Sequence, residues 1–323
     1  MMDYDDIVIQ LESMCRQEGT TYFAHDYLYE QPDQVVEGDN FGLQMPLHDR
    51  WFRSNRRSTT SLKRLDEGCR IKMSKWFYEV IDFCQFDRDT VCIAMSYLDR
   101  FLCTRAGIPA LGNRKVFQLA AMSALYMAVK LFEKDFFEPE VIADLSRNSY
   151  TETDIVDMEM VILSALQWRV QPPTPLSFIR YFLALLPIKS EFDEEAKEML
   201  LHLSRLHTEI AVNGYFFVTV KPSAIAVASI LNSLDLMGES LMSFDLRNIL
   251  MSEINKRSPL NPHEDEMKKI RAKLRRDYQK SYEIKIEKEE PHHSRPKTVS
   301  AKSKHVGAAW GNSPNSIVQG TTR

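Results

Sequence analysis

Four charged residues carry the strongest chemical signal in the 323-residue chain. Arg70 and Asp99 lie 29 residues apart, as do Lys130 and Glu159, and each interrupts an apolar helical pattern. A lone charge among buried apolar groups is costly unless it is paired or reaches water. Arg70 and Asp99 are therefore expected to meet as a partly buried ion pair that locks two helices in register, and loss of one partner to cost about 3–5 kcal/mol. Lys130 and Glu159 must find water, a partner molecule or each other.

Other constellations fail on spacing. No Gly-rich phosphate loop of the form G-x-G-x-x-G or G-x-x-x-x-G-K-[ST] occurs. His263-Glu264 begins like the zinc motif H-E-x-x-H, but Met267 stands where the second histidine must be, so one helix face lacks its second ligand. Asp5-Asp6 has no third carboxylate at the spacing that magnesium-binding helical enzymes use, and reads as a solvated acidic arm. His292-His293 falls in a polar tail. Neither a nucleophile with its base nor an acid–base pair emerges, so no catalytic residue, metal or cofactor is expected.

The elements that must position the four charges are helices. Met73, Trp76, Phe77, Val80, Ile81 and Cys84 follow the i, i+3, i+4, i+7 stripe of an amphipathic helix, and Ala94, Tyr97, Leu98, Phe101 and Leu102 repeat it, placing helices at roughly 67–86 and 88–104. VFQLAAMSALYMAV (Val116 to Val129) is apolar on nearly every face and alanine-rich, the pattern of a helix enclosed by others. Pro139 opens a short helix, and Thr151 with Asp154 resembles a capping box for a helix running to about Leu166.

Gln171 to Pro175, QPPTP, forbids continuous helix and marks a boundary between two units. Helix starts then recur at Thr174-Pro175, Ser190 with Asp193, Lys221-Pro222, Ser240, and Asn261-Pro262 with Glu264. SAIAVASIL (Ser223 to Leu231) repeats the all-round apolar pattern, again third of five, so two helical bundles in tandem are expected, each around a buried central helix. Residues 1–45 read as a loosely packed N-terminal arm with one short helix. Residues 281–323 turn polar and then Gly/Ser/Asn-rich, a disordered tail.

Composition agrees. With 44% apolar residues, 27% charged and 11 Gly, the chain suits a helix-rich globule of about two domains. A net charge of −4 gives no reason to expect nucleic-acid binding, although Lys268, Lys269, Arg271, Lys273, Arg275 and Arg276 crowd the last predicted helix. Cys15, Cys69, Cys84, Cys92 and Cys103 form no C-x-x-C pair and fit a reduced compartment. The start MMDYDDIVIQ has no leader pattern, and no window approaches the ~18 uncharged apolar residues of a spanning helix, so no membrane partner is expected.

Over residues 69–166 the chain resembles the cyclin box of the cell-cycle cyclins. CRIKMSKWFYEV resembles its first helix, YLDRFL its second, QLAAMSALYMAVKLFE its third and YTETDIVDMEMVILSALQW the start of its fifth. Five positions typical of the box are present as Arg70, Asp99, Leu119, Lys130 and Glu159. LQWRVQPPTPLSFIRYFL, from Leu166 to Leu183, is most similar to the passage between the two folds of D-type cyclins, although no L-x-C-x-E segment occurs near the N-terminus.

The resemblance implies an all-α protein of two tandem five-helix cyclin folds: an arm over 1–45, an N-terminal cyclin box over 46–171, a C-terminal cyclin fold over 172–280 and a tail over 281–323. It implies a non-catalytic subunit that binds and activates a cyclin-dependent Ser/Thr protein kinase in cell-cycle control, in nucleus and cytoplasm. Lys130 and Glu159 would face the kinase main chain, with Phe132, Phe136, Phe137 and Ile155 as exposed apolar neighbours. Arg70–Asp99 would be the structural pair and Leu119 core. A family docking patch for short Arg-x-Leu segments of substrates or inhibitors would comprise Cys69, Arg70, Met73, Trp76 and Gln118, although Cys69, Lys72 and Met73 depart from the family pattern. The competing expectation, a tandem cyclin-fold transcription adaptor, calls for a zinc ribbon and a basic surface that the sequence lacks.

Overall fold

The computed structural model of the chain describes residues 3–29, 65–238, 241–257 and 264–289. Among them lie twelve α-helices, two 3-10 turns and no strand. The first helix, α1, spans Tyr4–Glu18. The first bundle comprises α2 (Glu67–Cys84), α3 (Asp89–Leu102), a short α4 (Ile108–Gly112), α5 (Arg114–Phe132), α6 (Pro139–Leu145) and α7 (Glu152–Ala165). The second comprises α8 (Pro175–Ala184), α9 (Glu191–Asn213), α10 (Pro222–Met237), α11 (Phe244–Arg257) and α12 (Asp265–Glu289).

Each bundle is built around one helix. In α5 every residue from Val116 to Val129 is buried, packed chiefly against α3 and α7. In α10 every residue from Ser223 to Leu234 is buried against α8, α9 and α12. Alanines at 120, 121, 124 and 128, and at 224, 226 and 228, let neighbouring backbones approach on all sides. By length and composition alone Arg114–Phe132 is apolar enough to cross a membrane, although Lys115 and Lys130 bound its uncharged run; 78% of that window is buried within the protein.

Local capping explains where helices start. Thr151 and Asp154 form a reciprocal capping box on α7, the Thr151 N–H donating to Asp154 Oδ2 at 2.8 Å and the Asp154 N–H to Thr151 Oγ at 3.2 Å. Thr174 caps α8 with Pro175 in its first turn, and Ser190 caps α9. Lys221 gives α10 no side-chain cap. The buried Glu18 supplies one instead, accepting from the Ser223 N–H at 2.8 Å.

Three expectations need correction. The N-terminal segment is no loose arm where it is described: Ile7, Leu11 and Met14 form a buried i, i+4, i+7 stripe on the core of the second bundle. The exposed Ile9 hid that period in the sequence. The connection from Ala106 to Asn113, which by the cyclin-box resemblance reads as a longer loop between the second and third helices, is a 3-10 turn (Arg105–Gly107) followed by α4, held by the Leu65 N–H bonding the Leu111 carbonyl at 3.0 Å. Gly107 is required there, since a Cβ would run into the Phe101 carbonyl. Finally, α12 continues to Glu289, past the start assigned to the polar tail. Asn261-Pro262, His263 and His292-His293 lie outside the described residues, as does Ser240.

Candidate protein-binding surface

The end of α5 brings Lys130 to the surface beside α7. Its ammonium donates to Glu159 Oε1 at 3.2 Å and Oε2 at 3.4 Å, and lies 5.4 Å from the centre of the Tyr126 ring. Burial pulls the ammonium down, but Glu159 and Tyr126 outweigh it and hold Lys130 above the ordinary lysine range. The lysine side chain is 43% exposed and the glutamate 9%. The carboxylate is thus a fixed, buried anchor, and the ammonium is the solvent-facing member of the pair.

An apolar surround frames this pair. Phe132 and Phe136 are exposed. Phe137 is only partly so, its ring packing 6.1 Å from that of Phe86. Ile155 must be removed from the exposed set: it is fully buried on the inner face of α7, its carbonyl accepting from the Ser123 hydroxyl at 3.1 Å. The exposed apolar residues of α7 are Val156 and Met160, joined by Leu131 on α5. Glu159 sits at the edge of the α7 stripe, so the neighbours that emerge lie one step round the helix, a phase that the sequence contained and the resemblance obscured. The Glu133 carboxylate pins the following loop by accepting from the Asp87 N–H at 3.1 Å and from the Thr90 hydroxyl.

Arg70 and Asp99 meet deep between the bundles. Arg70 Nε donates to Asp99 Oδ1 at 2.9 Å and Nη2 to Oδ2 at 2.7 Å, a bidentate pair with residue exposures of 3% and 6%. Two further partners were not foreseen: Arg70 Nη1 donates to the Val212 carbonyl of the second bundle at 2.8 Å, and the Tyr27 hydroxyl donates to Asp99 Oδ1 at 2.8 Å. Burial opposes the arginine charge, yet Asp99 more than compensates and raises its pKa. Burial, then Asp99, pushes the Tyr27 phenol well above its usual range.

Leu119 is fully buried in α5. The five residues read as a docking patch are buried as well: Cys69, Arg70, Met73 and Trp76 along α2, and Gln118, whose Oε1 accepts from the Tyr150 hydroxyl at 3.3 Å. Met73 and Trp76 belong to the first core, so none of the five offers a surface to a peptide in this conformation. Among the described residues no three His, Cys, Asp or Glu side chains converge on a metal position.

Two tandem helical bundles, each on a central alanine-rich helix, define an all-helical scaffold of two like domains. The model for the cyclin N-terminal domain matches residues 47–171 and that for the cyclin C-terminal domain residues 173–302. The chain belongs to the cyclin family. It is similar to Cyclin-D4-2 of Arabidopsis thaliana, 29% identical over 191 residues, covering 58% of this chain and 61% of the relative. It is 28% identical over 158 residues to the G1/S-specific cyclin-D1 of Danio rerio, covering 49% and 51%. The chain thus spans about half to three-fifths of the curated relatives it matches. Among solved structures, a viral cyclin from herpesvirus saimiri shares the fold with a TM-score of 0.54 at 14% identity, covering 69% of this chain and 90% of that one.

Proposed function

We propose that this chain is the regulatory subunit of a cyclin-dependent Ser/Thr protein kinase, activating it in cell-cycle control in nucleus and cytoplasm. The observation that supports this reading is the half-exposed Lys130, braced by buried Glu159 and ringed by Leu131, Phe132, Phe136, Val156 and Met160. An apolar patch around a hydrogen-bonding charge that a partner can desolvate is the anatomy of a specific protein interface.

A kinase transfers phosphate quickly only when its regulatory-helix glutamate pairs with its active-site lysine and its activation loop is ordered. A rigid helical surface that binds the active position of that helix more tightly than the inactive one shifts the population towards activity. In this reading Lys130 donates to kinase main-chain carbonyls while Glu159 holds it in place. The relative named as a G1/S-specific cyclin supports the cell-cycle setting.

The test is co-purification with a panel of cyclin-dependent kinases and a phosphorylation assay, wild type beside Lys130→Ala/Glu159→Ala. Retention and activation by wild type, both lost in the double variant, is the expected result. Failure of wild type to retain any kinase, or an equally active double variant, overturns the reading. Fluorescence microscopy of the tagged chain checks the compartments, and exclusion from the nucleus contradicts that part.

A further inference from the structure

A cavity of about 100 Å3 lies at the seam where the N-terminal segment, both bundles and the proline linker meet. Five charged side chains line it: Arg70, Arg100, Lys221, Asp99 and Glu18. Both carboxylates are already engaged, Asp99 by Arg70 and Tyr27, and Glu18 by the Ser223 N–H and hydroxyl.

The cations are not matched in the same way. Arg100 is 6% exposed, yet among the described residues it forms no ion pair. One nitrogen, Nη1, donates to the Arg169 carbonyl at 3.0 Å, and the guanidinium lies 4.7 Å from the centre of the Tyr22 ring. Burial pushes its pKa down to about 10, and the Arg169 charge also acts against it, so at neutral pH it remains a buried cation without a carboxylate. Lys221, half-buried, likewise forms no ion pair among the described residues, although its charge is felt by Glu18. Ser96, one turn before Arg100 on α3, also lines the cavity.

We propose that this seam cavity binds one small inorganic oxyanion of the phosphate or sulfate class, held by Arg100, Lys221 and the Ser96 hydroxyl. Water satisfies donors but does not neutralise a wall that carries three cations against two anions, whereas an oxyanion does both. The planar guanidinium fork fits two oxygens of a tetrahedral anion. The volume holds a few waters or one such anion. A bound anion ties α3 to the start of α10, independently of any kinase.

The test uses the full chain alone. Phosphate and sulfate are titrated at constant ionic strength against chloride, by calorimetry and by the thermal midpoint, with phenyl phosphate as a parallel arm. Wild type is expected to bind one phosphate saturably, to melt higher with it, and to exclude phenyl phosphate. Arg100→Gln is expected to weaken binding at least ~10-fold. If that variant does not fold, Lys221→Gln and Ser96→Ala carry the same expectation, and the exposed Lys269→Gln serves as control with unchanged affinity. No saturable binding by wild type, equal binding by the cavity variants, or an equal loss in the control overturns the proposal. So does equal binding of phenyl phosphate, which would indicate an open surface for phosphorylated side chains.

Discussion

Arg70–Asp99 and Lys130–Glu159 bridge helices with the same 29-residue separation, and both put a basic residue first. Their surroundings differ. Arg70 and Asp99 have side-chain exposures of 4% and 8%, with Tyr27 from the N-terminal segment and the Val212 carbonyl from the second bundle closing over them. Lys130 keeps 43% of its side chain in solvent, and its partners among the described residues, Glu159 and Tyr126, belong to its own bundle. One pattern in the chain thus has two physical outcomes: a tie among three parts of the molecule, and a braced charge left partly in solvent. What separates them is the third and fourth group that each pair meets.

Asp99→Ala tests the enclosed pair most severely. It strands the Arg70 guanidinium and the Tyr27 hydroxyl, and is expected to lower unfolding free energy by about 3–5 kcal/mol in chemical denaturation. A loss under about 1 kcal/mol would place Arg70–Asp99 in the same energetic class as a surface pair.

A third carboxylate sharpens the contrast, because Asp89 sits at the seam with the Thr174 hydroxyl, 2.9 Å away, and no bidentate arginine. Burial, aided by Asp87 and opposed by Thr174, raises its pKa from 3.8 to about 6. A carboxyl raised in the folded state favours the protonated fold, so its stabilisation is full below about pH 4 and is lost as pH rises through 6. Asp89→Asn is expected to flatten the fall in stability between pH 4 and 6, and to gain on the order of 2 kcal/mol at neutral pH. An unchanged pH profile by calorimetry would sink that assignment.

Smaller effects follow. Tyr27→Phe removes one hydrogen bond to a charged acceptor and is expected to cost about 1–2 kcal/mol, read from the thermal midpoint. Lys130→Ala is expected to change stability by less than about 1 kcal/mol while abolishing kinase retention. If its stability cost instead matches that of Asp99→Ala, the distinction between tie and open charge collapses.

Much of this architecture could be read from local chemistry. Thr151 with Asp154, Thr174-Pro175, Ser190 and Pro222 announce helix starts because capping depends on neighbours three residues away. The two enclosed helices are legible because their apolar residues face every direction. Among the docking residues, Met73 and Trp76 lie in the first core, as their place on the α2 stripe implies, whereas Arg70 and Gln118 are held by distant partners, the Val212 carbonyl and Tyr150. Ile155 was misplaced because the resemblance named a helix whose phase had to be taken from its own stripe. Tyr27, Val212 and Glu18 were invisible for a different reason: their partners lie 72, 142 and 205 residues away, and no periodicity spans such distances.

The Glu18–Ser223 contact also has a bearing on synthesis. At 5–20 residues per second, roughly 10–40 s separate the emergence of the two ends of that contact from a ribosome. Throughout that interval Ile7, Leu11 and Met14 have no core to enter, because the core that buries them belongs to the second bundle. This helix, translated before both bundles, is therefore placed only after the second of them, and its apolar stripe is exposed to chaperones or to misassociation until that bundle exists.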